Sequence, residues 1–191
     1  MIQQKHLAVF DCDGTLVDSQ RSIINCMNAA LDGENLSRPS EEEIRRTVGL
    51  PLRQAISILQ PTITPAIISS LKEGYSKAWM ELRQSSQLNE PLYPDVPEIL
   101  DQLISQGWQL GIATGKSHRG LMHTLENHQI LDRFQSFQTA DRARGKPHPE
   151  MLIKAMESLG ATPATTVMIG DTTFDMEMAQ NAGVTAIGVT W

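Results

Sequence analysis

The sequence predicts an α/β fold, a doubly wound parallel sheet interrupted after its first strand by an all-helical insert. Three observations predict it. Short apolar runs recur at 7–10, 110–113, 167–170 and 186–189, the pattern of strands buried on both faces. Amphipathic helical segments separate the later runs, and strands alternating with helices imply a parallel sheet covered on both sides. Between about 17 and 90, by contrast, helix signals follow one another without a convincing strand.

Taken in order, the first run (Leu7, Ala8, Val9, Phe10) ends at Asp11 and turns at Gly14. Within the insert, Ser40 and Glu43 form a capping box, and Thr64 before Pro65 is a second helix start. From 65 to 83 apolar residues then repeat at Ile67, Ile68, Leu71, Tyr75, Ala78, Trp79 and Leu82. Pro91 and Pro94 close the block, so residues 1–16 and 91–191 are expected to form one α/β core around an insert of 17–90. Ile99, Leu100, Leu103 and Ile104 mark the next helix, and the second strand follows, ending in Thr114 and Gly115. Leu121, Met122 and Leu125 share a helical face, and Phe137, Gln138 and Thr139 are a weaker strand. Leu152, Ile153, Met156 and Leu159 mark a third helix of the core; Phe174, Met178 and Ala182 mark a fourth, after the strand at 167–170. The last run stands close to Trp191, so it is expected either as an exposed sheet edge open to pairing or as the mark of a shortened chain.

Composition narrows the function. Sixteen basic residues against 22 acidic ones give a net charge of −6, which argues against a nucleic-acid or polyanion binder but leaves a small anion open. Cys12 and Cys26 are too few for a disulfide framework and wrongly spaced for zinc. No apolar run approaches the roughly 18–20 residues of a membrane span, and the start leads directly into a strand instead of a signal peptide. A cytoplasmic setting is expected.

The chemistry-bearing residues gather at strand ends. Asp11 and Asp13 would normally point to opposite faces of a strand, but Gly14 lets the chain turn and brings both to the mouth of the sheet. Such a pair suits divided labour, one carboxylate as nucleophile and the other as proton donor and acceptor. Thr114 and the Gly115 amide suit an oxyanion. Pro147 biases Lys146 to an extended conformation from which its ammonium can project into a site. Asp171 and Asp175 stand where the fourth strand turns into a helix, a place suited to a hard divalent cation with oxygen ligands such as Mg²⁺.

In these four motifs the chain resembles the haloacid dehalogenase superfamily, and more narrowly its phosphoglycolate-phosphatase-like and β-phosphoglucomutase-like members. The resemblance rests on Asp11-Cys12-Asp13-Gly14-Thr15-Leu16, Thr114-Gly115, Lys146-Pro147, and Gly170-Asp171 with Asp175, and covers essentially the whole chain. It implies a Rossmann-like sheet of order 5-4-1-2-3, with the helical insert as a small cap. It also implies roles. Asp11 would attack phosphorus to form an aspartyl-phosphate, and Asp13 would protonate the leaving alcohol and then deprotonate water. Mg²⁺ would be held by Asp11, the Asp13 carbonyl and Asp171, with Asp175 in support; Thr114, Gly115 and Lys146 would hold the phosphoryl oxygens. The implied activity is hydrolysis of a small phosphate monoester, phosphoglycolate-like or a sugar phosphate. Alternatives are a phosphomutase of the β-phosphoglucomutase type and, from another class, a phosphoacceptor or binding protein without turnover. The partner is then a small phosphorylated metabolite, with no nucleic acid or membrane, and either a monomer or a homodimer fits.

Weaker candidates divide differently. Lys116 reads as a solvated lysine at a helix start, and Arg45, Arg46 and Lys72 as solvated helix faces. Residues 47–53 look like a specificity loop, in which Arg53 is the candidate substrate contact. His118, His123 and His128, five apart, drift around a helix instead of forming a metal site. Cys12, among acids, reads as packed and inert.

Overall fold

In the computed structural model, residues 5–85 and 87–191 are described. The chain start read as leading directly into the first strand therefore lies, at 1–4, outside the described residues. Five strands, β1 (Leu7–Phe10), β2 (Gln109–Thr114), β3 (Ser136–Thr139), β4 (Thr166–Gly170) and β5 (Thr185–Gly188), form one parallel sheet of order β3-β2-β1-β4-β5. This is the expected 5-4-1-2-3 order. Central β1 pairs Ala8 with Leu110 on one side and with Val167 on the other.

The alternation of side chains along β1 explains the two layers of helices. Ala8 and Phe10 face a core with Leu100 of α5 (Val96–Ser105) and with Leu121 and Leu125 of α6 (His118–Asn127). Leu7 and Val9 face the opposite core, with Met151 and Leu152 of α7 (Glu150–Leu159) and Met178 of α8 (Thr173–Ala182). Burying each large side chain here is worth about 1.5–3 kcal/mol. In β5 all four residues are exposed, as expected of the sheet edge.

The insert contains α1 (Gln20–Gly33), α2 (Glu41–Arg45), α3 (Leu52–Leu59) and α4 (Pro65–Gln84). The Ser40 capping box forms, and Thr64 caps α4 ahead of Pro65. Ile24, Met27 and Leu31 of α1 pack with Ile44, Ile56, Ile68 and Leu71 in a separate core. At Gly74 an added Cβ would lie 3.3 Å from the Ala30 Cα, so the close α1–α4 crossing leaves little room for a side chain. The two connections to the sheet run side by side: the Asp18 amide donates to the Pro91 carbonyl at 2.8 Å, and the Tyr93 amide to the Leu16 carbonyl at 3.0 Å. Trp191 stacks on Tyr93 with ring centroids 4.4 Å apart, and its indole N–H donates to the Gly14 carbonyl at 2.9 Å. No helix among the described residues is long and apolar enough to cross a membrane.

Candidate active site

All four sequence motifs meet at the C-terminal edge of the sheet, beside the switch point between β1 and β4 where open α/β sheets bind ligands. Asp11 continues β1 by one residue, its amide donating to the Ile169 carbonyl at 2.9 Å. The chain then turns at Gly14, whose φ of 88° is left-handed. A Cβ there would also lie 2.2 Å from Asp171 Oδ2, so space as well as backbone conformation demands glycine.

Asp11 is fully buried. Its Oδ1 accepts the Cys12 amide at 2.7 Å and pairs with Lys146 Nζ at 2.8 Å, whereas Oδ2 has no hydrogen-bond partner among the described residues. Lys146 is buried too, and its ammonium also pairs with Asp175 Oδ1 at 2.6 Å. Asp175 lies in the first turn of α8, where it reciprocally caps Thr172. Asp171 accepts the Thr15 hydroxyl at 2.8 Å. One carboxylate oxygen from each of Asp11, Asp171 and Asp175 lies within 4.8 Å of the others.

Electrostatics follow from that crowding. Burial pushes the Asp11 carboxyl up to about 8, Lys146 opposing this and Asp175 and Asp171 adding to it. Asp171 is raised as well, first by burial. Burial would lower Lys146, but attraction to Asp11 and Asp175 outweighs it and holds the ammonium charged. Three carboxylates against one lysine, with Asp11 Oδ2 unpartnered, make a donor set suited to a divalent cation.

Thr114 is buried at the end of β2, next to β1 in the sheet, and Gly115 lies under the loop between α2 and α3. The loop packs tightly: an added Cβ at Gly115 would meet the Gly49 and Leu50 carbonyls at 2.6 Å, and one at Gly145 the Pro51 Cγ at 2.0 Å. A Cβ at Gly49 would lie 3.9 Å from Asp11 Oδ2, so this loop roofs the site. Arg53, by contrast, is exposed on α3 and has no ion pair among the described residues. Arg45 and Arg46 pair with Glu41 and Glu42 on the surface, and Lys72 is exposed, as expected. Cys12 is buried, and burial pushes its thiol well up, which fits an inert role.

Lys116 corrects the sequence expectation. Instead of standing in solvent it turns inward, its Nζ 2.5 Å from Asp13 Oδ1 and 3.7 Å from Glu90 Oε2. Its aliphatic stem is short of solvent and its charge is neutralised by two carboxylates that the sequence scatters far from it. The same Asp13 oxygen accepts the Ser19 hydroxyl at 2.5 Å. Thr15 stands inside the first motif but the sequence assigns it no role there, and Ser19 and Glu90 carry no pattern that marks them as partners of this site.

A family model described as haloacid dehalogenase-like hydrolase matches residues 8–189. The chain belongs to that family. As a haloacid dehalogenase-like hydrolase it is 41% identical to a probable phosphatase, IndB, of Dickeya dadantii, over 98% of this chain and 82% of that one. It is 29% identical to the pyrophosphatase PpaX of Bacillus mycoides, over 96% of this chain and 82% of the relative. Among solved structures it superposes on a predicted phosphoglycolate phosphatase from Haemophilus somnus with a TM-score of 0.83 and 27% identity, covering 98% of this chain and 86% of that one. The Rossmann-like sheet and the helical cap of this hydrolase are those of its family.

Proposed function

We propose that this hydrolase is a Mg²⁺-dependent phosphatase that cleaves a small phosphate monoester, phosphoglycolate-like or a sugar phosphate, through an aspartyl-phosphate on Asp11. In this reading residues 1–16 and 91–191 are the catalytic core and 17–90 the cap, and the protein works in the cytoplasm. One observation carries it. Asp11 is buried with Oδ1 fixed by the Cys12 amide and Lys146 while Oδ2 is left without a partner beneath the cap loop, the state of an oriented nucleophile. The phosphatase-named relatives support the same reaction class.

Asp11, the Asp13 carbonyl and Asp171 would hold the cation, with Asp175 in support. When bound, Mg²⁺ supplies positive charge to the phosphoryl oxygens. The protein's own groups do the rest. Lys146, Thr114 and the Gly115 amide bind the phosphoryl oxygens. Asp11 Oδ2 forms a bond to phosphorus as the ester P–O bond breaks, and Asp13 delivers its proton to the departing alkoxide. Asp13 then takes a proton from the water that attacks the same phosphorus, which frees inorganic phosphate and restores Asp11. An acid at Asp13 suits an alcohol leaving group, which needs a proton, better than a halide, which does not.

Asp11→Asn should lower phosphate release from a panel of phosphate monoesters by about a thousandfold or more. Retained turnover in the folded variant would refute the nucleophile. Isomerisation of a sugar phosphate in place of phosphate release would reassign the enzyme as a mutase.

A further inference from the structure

The inward-turned lysine carries an inference that rests on the proposed role of Asp13 and goes beyond it. Both contacts to Asp13, from Ser19 and Lys116, land on Oδ1. They fix the carboxylate by one oxygen and leave Oδ2 as the one to face a leaving group. Lys116 is itself held. Glu90 is buried and stands 3.7 Å from the ammonium, the Thr124 hydroxyl donates to Glu90 Oε1 at 3.0 Å, and a His128 ring nitrogen lies 2.8 Å from the Glu90 carbonyl oxygen. The ammonium also lies 5.1 Å from the ring centroid of Trp79, on cap helix α4.

These partners come from both sides of the seam between core and cap. Ser19 and Glu90 stand on the two connections into the cap, and Trp79 belongs to the cap itself. Thr124 of α6 and His128 at its end tie Glu90 to the core, so of these partners Trp79 is the one carried by a cap helix. Moving the cap away would strip Trp79 from Lys116, admit water to the ammonium and slacken its hold on Asp13. We propose that Lys116, braced by Glu90 against the core, is a positioning residue that aims Asp13 at the leaving-group oxygen, and that Trp79 makes this alignment conditional on cap closure. A purely structural ion pair would support the fold equally whatever the substrate. In kcat/KM, which reports the steps up to the aspartyl-phosphate and not its hydrolysis, a positioning role would be felt only where Asp13 must give a proton.

That difference is measurable as kcat/KM on two substrates, p-nitrophenyl phosphate, whose leaving group departs as a stabilised anion, and a primary alkyl phosphate, whose alkoxide needs protonation. Lys116→Met should reduce kcat/KM on the alkyl ester by about tenfold to a hundredfold more than on the aryl ester. Lys116→Arg should recover part of that difference. Trp79→Leu, which leaves every charge in place, should show the same bias to a smaller degree, and it carries the comparison if Lys116→Met fails to fold. Equal losses on the two esters, or no loss, would overturn the proposal. Asp13→Asn separates the failures: if it discriminates between the esters while the Lys116 and Trp79 variants do not, Lys116 is structural and the role of Asp13 stands. If Asp13→Asn does not discriminate, the acid role and this proposal fall together.

Discussion

At Asp11 the cost of burial and the use of burial coincide. Desolvation favours the neutral acid, yet a nucleophile must be ionised, so the site needs more positive charge than Lys146 brings. The sign of the pH effect follows. A carboxyl whose value is raised on folding contributes stability while protonated, and that contribution is lost as pH rises through the raised value. The carboxyls that folding lowers, such as Asp101 and Asp141, have delivered their full contribution above about pH 5 and do not act beyond it. Protein held in EDTA should therefore melt at progressively lower temperature from about pH 5 to about pH 8, and Mg²⁺ should raise the melting temperature more at the upper end. A melting temperature that climbs with pH in EDTA would contradict this. Asp11, Asp13 and Asp171 were legible from sequence because they follow strand ends close to a glycine, and Lys146 because it precedes proline in the loop between β3 and α7. Lys116 was misread because its partners, Glu90 and Trp79, reach it only through the return of the chain from the cap, and residue type alone favours solvent for a lysine.

Among the elements, the loop between α2 and α3 decides whether the site is covered. Gly145 has no left-handed φ, so a substitution there acts through contact alone. Gly145→Ala should push Pro51 outward and lower kcat/KM about tenfold while leaving the melting temperature almost unchanged. Ser40→Ala should do the reverse, removing the α2 cap at a cost of about 1 kcal/mol with kcat/KM retained. Chemical denaturation and steady-state rates on both variants check the pair; a Gly145→Ala enzyme of normal rate would mean that the loop contact is incidental. The sequence showed α4 clearly, through Pro65 and a long apolar repeat. It marked the start of α2 through the Ser40 capping box but left α1 and α3 as undivided helix signals, because neither carries a side-chain cap to set its start.

Across the whole molecule, the sheet is steep in its protection from solvent. β1 is buried along its length and β5 is exposed along its length. Amide exchange should be slowest in β1 and β2 and much faster in β5, since an exposed edge strand can open without unfolding the centre. Uniform exchange across the sheet would argue against this ranking. Apolar runs revealed four strands and left the one at 137–139 weaker, while their order came from the resemblance, because periodicity says which face a residue takes and not which strand lies beside it. The cap seam, finally, carries its own optical label. Of the three tryptophans, Trp108 lies at the start of β2, away from the site, and Trp191 lies against Gly14. Trp79 alone sits on a cap helix with an ammonium from the sheet against its ring, so opening and closing the cap would change its emission and allow the motion to be followed without any added dye.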